Sequence, residues 1–328
     1  MNGESLKLTV YFGESDRAGD GSLADALLDA FGRRRLATSV LMRGAEGFGA
    51  KHHLRSDRLL TLSEDLPLVA VAVDSRDRIE AAVQEVDALV GEGLVTLERA
   101  GAPAPREETK LTVYCGRKES VGGRPAFVAV VDLLHRHGLG GATVLLGVDG
   151  TIRGERRRAR FLASNADVPL MIISVGAEDR VASALDELPA LLAEPVFTLE
   201  RVRVCRRDGQ TLGEPDDRPP WQKLMVYSSG AGHLHVELIR RLRRAGAAGA
   251  TCLRGIWGYH GDHPPHGDRL LSLRRHVPVV TVIVDEPDRL RRWFEIVSEV
   301  TATGGLVTSE LVPAARTYEK GKPGLRIE

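Results

Sequence analysis

The chain has 328 residues, more than one small core requires and suited to two or three domains of ordinary size. Lys and Arg number 45 against 45 Asp and Glu, so no net field draws the protein to nucleic acid or an anionic membrane, and aromatic residues at 5% leave few platforms for stacked bases. The longest apolar runs, Leu66 to Val73 and Val277 to Val284, are strand-sized and far short of the roughly 20 residues that span a bilayer.

Met1 to Ser5 has no signal-peptide character, which points to a cytoplasmic protein. Cys115, Cys205 and Cys252 are odd in number and far apart, with no C-x-x-C pair, and read as small buried hydrophobes.

From the N-terminus, Leu8, Val10 and Phe12 alternate as a half-buried strand, and Leu23, Leu27 and Phe31 mark a helix face. A second strand follows from Thr38 to Met42, then a Gly-rich loop and a central strand from Leu68 to Val73. Ile79, Val83, Val86 and Val90 mark a second helix, and Leu94 to Glu98 forms the last strand.

The same order then recurs. Lys7-Leu8-Thr9-Val10-Tyr11 returns as Lys110-Leu111-Thr112-Val113-Tyr114 and as Lys223-Leu224-Met225-Val226-Tyr227, and Leu66-Pro67-Leu68 as Val168-Pro169-Leu170 and Val277-Pro278-Val279. Each unit closes alike, on Val95-Thr96-Leu97-Glu98, Phe197-Thr198-Leu199-Glu200 and Val307-Thr308-Ser309-Glu310. The chain therefore divides into repeats at 5–100, 108–205 and 221–313, linkers at 101–107 and 206–220, and a polar tail at 314–328, expected to be loose.

The expected class is α+β: three tandem ferredoxin-like βαββαβ units, each a four-stranded antiparallel sheet with both helices on one face. That arrangement leaves the other face bare, with Leu8, Val69 and Val71 expected on it. Three linked copies cover one another by closing around a common axis, giving a monomer that imitates a homotrimer.

Loops between the second and third strands are the natural place for function. Arg43-Gly44-Ala45-Glu46-Gly47-Phe48-Gly49 and Arg254-Gly255-Ile256-Trp257-Gly258-Tyr259 share R-G-x-x-G-aromatic, whose glycines could turn backbone N–H groups toward an anion beside the arginine; the same glycines could equally serve tight turns. The middle repeat has a basic cluster, Arg153 and Arg156 to Arg158, and Ala193-Glu194-Pro195 where its sisters have Gly93 and Gly305, so it reads as mainly structural. His260, His263 and His266, with Asp262 and Asp268 nearby, offer ligands for zinc, copper or nickel, or form a solvated loop. No nucleophile elbow, H-E-x-x-H or P-loop is present, so no catalytic residue is assigned, and Glu14-Ser15-Asp16 reads as a loop leading to a capped helix.

The first repeat resembles the PII-like domain-of-unknown-function family 190, through Tyr11 with Gly13-Glu14-Ser15-Asp16, Arg43 to Gly49, Leu62 to Leu68, and Gly93 to Glu98. The third keeps R-G-x-x-G and G-L-V-T but has Ser228-Ser229-Gly230 in place of G-E-S-D; the second keeps mostly core positions. The resemblance implies a trimeric core whose clefts take nucleotides or small anionic metabolites, and a mobile loop that contacts a transporter or enzyme. It also places a phosphate-binding corner at Gly93 and Gly305, although the lysine-rich pattern of true PII corners is absent.

The functional expectation is a non-catalytic sensor that binds a nucleotide or small anion between repeats through Arg43, Gly44, Gly47, Gly49, Gly93, Arg254, Gly255, Gly258 and Gly305. Its partner is a protein, such as an ion transporter. The alternatives are a divalent-metal protein using the His260, His263, His266 loop, or a ligand-free scaffold. No cofactor is assigned beyond that nucleotide or small anion.

Overall fold

The computed structural model describes residues 5–49, 55–56, 65–101, 108–152, 155–156, 167–218, 221–229, 234–261, 263–267 and 278–318. Lys51 to His53, Asp262, Asp268 and part of the middle basic cluster lie outside them.

The first repeat comprises β1 (Ser5–Gly13), α1 (Leu23–Arg33), β2 (Thr38–Arg43), β3 (Glu46–Phe48), β4 (Pro67–Ser75), α2 (Arg76–Leu89) and β5 (Gly93–Arg99). The second comprises β6 (Glu108–Gly116), α3 (Ala126–Arg136), β7 (Gly141–Leu146), β8 (Asp149–Ile152), β9 (Pro169–Ala177), α4 (Glu178–Glu187) and β10 (Val196–Arg207). The third comprises β11 (Trp221–Ser229), α5 (Leu234–Arg244), β12 (Ala250–His260), β13 (Pro278–Asp285), α6 (Pro287–Val300) and β14 (Leu306–Val312), and β15 (Ala314–Tyr318) follows it. No helix among the described residues is long and apolar enough to cross a membrane.

Each repeat contains the strand–helix–strand–strand–helix–strand order, the first two with an added strand, β3 or β8, after the second, and these four main strands are hydrogen-bonded antiparallel in the order second, third, first, last. Alternation along β1 sorts its two faces. Leu6, Leu8, Val10 and Phe12 pack with Leu23, Leu27, Phe31, Ile79 and Val86 of the helices. This corrects the expectation for Leu8, which faces the helices; Val69 and Val71 do lie on the other face, where Met171, Ile173, Val280 and Val282 of the other repeats meet them in one shared core.

The repeats are joined more closely than three separate sheets would be, because each hands a strand to another. From the second repeat, β8 pairs with β2 of the first. β3 of the first pairs with the start of β12 in the third, and the far half of β12 pairs with β7 of the second. The cycle closes.

The last strands interlock similarly: β10 runs past its own repeat to pair with β14, and β15 pairs with β5. Since β10 and β12 each serve two sheets, the second and third repeats form a closed barrel, while the first carries β8 and β15 on its edges. The segment after residue 313 is therefore not wholly loose. Ala314 to Tyr318 covers the edge of β5 and is tied by Arg316 Nη1, 2.5 Å from Asp87 Oδ2, and by Tyr318 to the same carboxylate.

A spaced pair of glycines makes each hand-over possible. A Cβ on Gly44 would sit 2.7 Å from Pro67 Cγ and one on Gly47 2.7 Å from Ala250 O; on Gly147, 2.6 Å from Pro169 O; on Gly258, 2.1 Å from Ala142 O and 2.7 Å from Pro278 Cγ. G-x-x-G therefore occurs in all three repeats, as Gly44/Gly47, Gly147/Gly150 and Gly255/Gly258, where the chain crosses under the proline that opens the next strand and against the neighbouring repeat.

Gly258→Ala should lower stability in urea by about 1–3 kcal/mol, because neither backbone can withdraw without breaking the ladder. Gly49→Ala, with nothing within 4 Å of the added carbon, should stay within about 0.5 kcal/mol of the parent.

Candidate functional site

Three motifs far apart in sequence meet at the end of β1. The Gly13 N–H donates to Asp16 Oδ2 (2.7 Å) and closes the turn. The Glu14 and Ser15 N–H groups donate to Leu66 O (2.9 Å) and Asp65 Oδ1 (2.7 Å). From the end of β2, Arg43 Nη2 and Nε donate to Glu14 Oε2 at 2.7 and 3.2 Å. The next two N–H groups leave the repeat's own sheet in steps, Gly44 to Pro67 O (2.7 Å) and Ala45 to Cys252 O of the third repeat (2.9 Å). Glu14, Arg43 and Asp65 thus share one corner at a junction between repeats.

The second repeat keeps this frame. Gly116 N–H reaches Glu119 Oε1 (2.9 Å), Lys118 N–H reaches Asp167 Oδ1 (3.0 Å), and Gly147 N–H reaches Pro169 O (3.0 Å). Its chemistry differs, because Leu146 stands in the place of Arg43 and Arg117 in that of Glu14. Its Arg156 is turned inward, donating to Asp149 Oδ2 (2.7 Å) and, on α1 of the first repeat, to Asp25 Oδ1 (3.1 Å) and Asp29. Arg254 is half-buried at the matching point of the third repeat, paired toward Val279.

The remaining candidates are dispersed. Gly44, Gly47, Gly255 and Gly258 face backbone and prolines at the hand-overs, and Gly49 is exposed. Gly93 and Gly305 have φ of +133° and +97°, and a Cβ on either would press on Tyr11 O (2.3 Å) or Tyr227 O (2.8 Å). Both corners are covered, Gly93 by Tyr318 of β15 and Gly305 by Asp208, whose N–H donates to Gly305 O at 2.8 Å. His260 Nε2 lies 2.7 Å from Asp208 Oδ1, and His266 Nδ1 lies 3.1 Å from Pro264 O. Among the described residues, the only His, Cys, Asp and Glu side chains gathered closely enough to share an ion are Glu98, Glu200 and Glu310.

Those three carboxylates belong to a buried ring that the sequence reading did not find. On the face of β1 opposite the helices, Lys7 pairs with Glu98 of its own last strand (2.9 Å) and with Glu200. Lys110 pairs with Glu200 (2.7 Å) and with Glu310. Lys223 pairs with Glu310 (2.8 Å) and with Glu98.

Six charges of alternating sign close on themselves, and every ammonium bridges two repeats. All six side chains are at most 8% exposed.

Burial alone would raise the Glu98 carboxyl, but Lys223 and Lys7 bring it down to about 2, and Glu200 is likewise held well below the usual carboxylate range. Lys7 and Lys223 are raised because their carboxylates outweigh the burial that would lower them, while at Lys110 burial wins. With three ammonium groups already among them, the carboxylates have no place for a metal ion in this arrangement. The signal was present in the sequence as K-x-T-x-Y, K-x-T-x-Y and K-x-M-x-Y on the first strands and T-x-E on the last, polar residues at one parity of buried strands.

A match to the DUF190 family model, described as "Uncharacterized ACR", covers residues 5–102, 108–204 and 223–314. The chain belongs to the DUF190 family. A UPF0166 protein of Aquifex aeolicus is 34% identical to it over 73 residues, 22% of this chain and 68% of that protein. Among solved structures, an aspartate kinase from Synechocystis aligns at 10% identity and a TM-score of 0.26, over 95% of this chain and 52% of the kinase. A protein described as unknown from Galdieria sulphuraria aligns at 13% and 0.19, over 60% of this chain and 98% of its own. Likenesses this weak bear on nothing further. In DUF190 terms, the matched units coincide with the three interlocked repeats.

Removing one charge should expose the cost of the ring. Glu98→Gln leaves Lys7 and Lys223 each short of a partner and should destabilise the protein by about 3–5 kcal/mol in urea unfolding. The pH dependence has a definite sign. Glu98 titrates lower folded than its ordinary 4.5, so its contribution is complete above that value and is lost as pH falls through about 2. Acid titration followed by circular dichroism should show this loss, about 3 kcal/mol from Glu98, and a shallower slope in Glu98→Gln.

Proposed function

We propose that this DUF190 chain is a non-catalytic, cytoplasmic regulatory protein of the PII-like kind, with three ferredoxin-like units closed by one chain into a pseudo-trimer. In this reading a nucleotide or small anionic metabolite binds where the second strand of one repeat meets its neighbour. The segments that follow those strands then contact a protein partner such as a membrane transporter.

The observation that carries the reading is the corner of the first repeat. Arg43, Glu14 and Asp65 come from three separate motifs to a junction between repeats, beside the strand handed to the third repeat. The Arg43 and Glu14 side chains are 45% and 38% exposed, and an ion pair that open contributes at most about 1 kcal/mol. A phosphate or carboxylate offering two oxygens to the guanidinium would displace Glu14 at little cost. Such displacement releases Glu14 after β1 and Arg43 at the end of β2, which gives a ligand a way to change the loop that follows β2. The middle repeat, with Leu146 at this place, has no guanidinium at the end of its second strand.

Calorimetric titration with adenine and guanine nucleotides and with dicarboxylates tests this reading. At least one should bind the parent, and Arg43→Ala should weaken it at least tenfold, about 1.4 kcal/mol, while leaving the melting temperature unchanged because the side chain is exposed. Arg254→Ala probes the matching junction of the third repeat. Absence of binding across the panel, or binding indifferent to both substitutions, would overturn the proposal.

A further inference from the structure

We infer that the axial cavity beside the three lysines is a binding site for one small inorganic anion of halide size, separate from the junction corners. The cavity has a volume of about 40 Å³ and is lined by Lys7, Lys110 and Lys223, by Tyr11 and Tyr114, and otherwise by threonine, methionine and branched aliphatic side chains of all three repeats. A buried water needs about 10–15 Å³, so the space takes about three waters or one small ion and is too small for a nucleotide. No carboxylate lines it among the described residues. The ring is neutral as a whole, yet its ammonium groups line this space and its carboxylates do not.

Spare donors face this space. Each ammonium has three protons and its carboxylate partners account for two; Lys110 Nζ also lies 3.7 Å from the Met225 sulfur, a weak acceptor. The Tyr114 side chain is 4% exposed, and its hydroxyl makes no hydrogen bond. Thr198 lies beside it and gives its own proton to Glu200 Oε1 at 3.0 Å, but its oxygen is not in hydrogen-bond geometry with the Tyr114 hydroxyl. A buried hydroxyl without a partner costs about 1–3 kcal/mol. One acceptor in the cavity would serve Tyr114 and the spare ammonium protons together. Water offers acceptors without offsetting the local positive field, a cation is repelled by it, and an anion does both.

The test uses bromide as the probe. Crystals grown in sodium bromide should give an anomalous peak on the axis between the three lysine Nζ atoms. The melting temperature should rise with bromide and saturate, relative to sodium gluconate of equal ionic strength. In Tyr114→Phe, which preserves the ring and nearly the same volume, the bromide concentration for half the effect should rise several-fold. Identical melting in the two salts, or axial density without an anomalous signal, overturns the inference. So does a bromide effect of undiminished size in Tyr114→Phe, since the ion would then be bound elsewhere. None of these readouts depends on whether a nucleotide binds at Arg43.

Discussion

Three ammonium groups and three carboxylates in a water-poor centre set the terms for everything around them. Removing each ion from water costs several kcal/mol, and attraction repays that cost only with near-ideal geometry. An isolated pair would leave each charge with one partner, whereas a closed ring of alternating sign gives each two. Closure requires all three repeats at once. Lys7 sits opposite Glu98, Lys110 opposite Glu200 and Lys223 opposite Glu310 in the strand registers, so the ring also fixes the pairing of first and last strands. A slip of one residue would turn a lysine into the apolar layer beneath the helices.

The strand hand-over is the second constraint, and it explains much of what looks functional in the sequence. Paired glycines at the end of each second strand, and the proline that opens each third, allow two backbones from different repeats to cross at distances no side chain permits. Neither is evidence of a ligand. Once they are assigned to the architecture, the first-repeat motif residues left over are Glu14, Arg43 and Asp65, side chains whose contacts are exposed or partly so and contribute little to folding. That subtraction narrows the candidate site from nine residues in two repeats to one corner.

Element order was legible because helix and strand periodicities are local, and Leu23, Leu27, Phe31, Ile79 and Val86 all lie buried as their spacing requires. The covering of one sheet face by the other repeats was legible too, from Val69 and Val71. What could not be read was which face of β1 turns inward: Leu8 and Val10 are the apolar set, and the rule that apolar residues point to the main core sends Lys7, Thr9 and Tyr11 to solvent. In the protein the helices claim the apolar set, and the polar set is buried against copies of itself. The hand-over escaped notice for a related reason. Gly147 and Gly150 lack the arginine and aromatic residue that drew attention to the other two loops, so a pattern common to all three repeats looked like a feature of two.

Linking three copies in one chain frees some positions to differ and binds others to agree. The ring keeps all six of its charges, since loss of any one strands two partners in the interior. The hand-over keeps all three glycine pairs for an equally unforgiving steric reason. In sequence the copies part company at the exposed corner: Arg43 and Glu14 in the first repeat, Leu146 and Arg117 in the second, Arg254 and Gly230 in the third. An exposed pair worth at most about 1 kcal/mol imposes no such discipline. Three identical chains would carry the same corner at every junction. One chain can confine a ligand site to a single junction and use the others as frame, while the centre remains as symmetric as its electrostatics require.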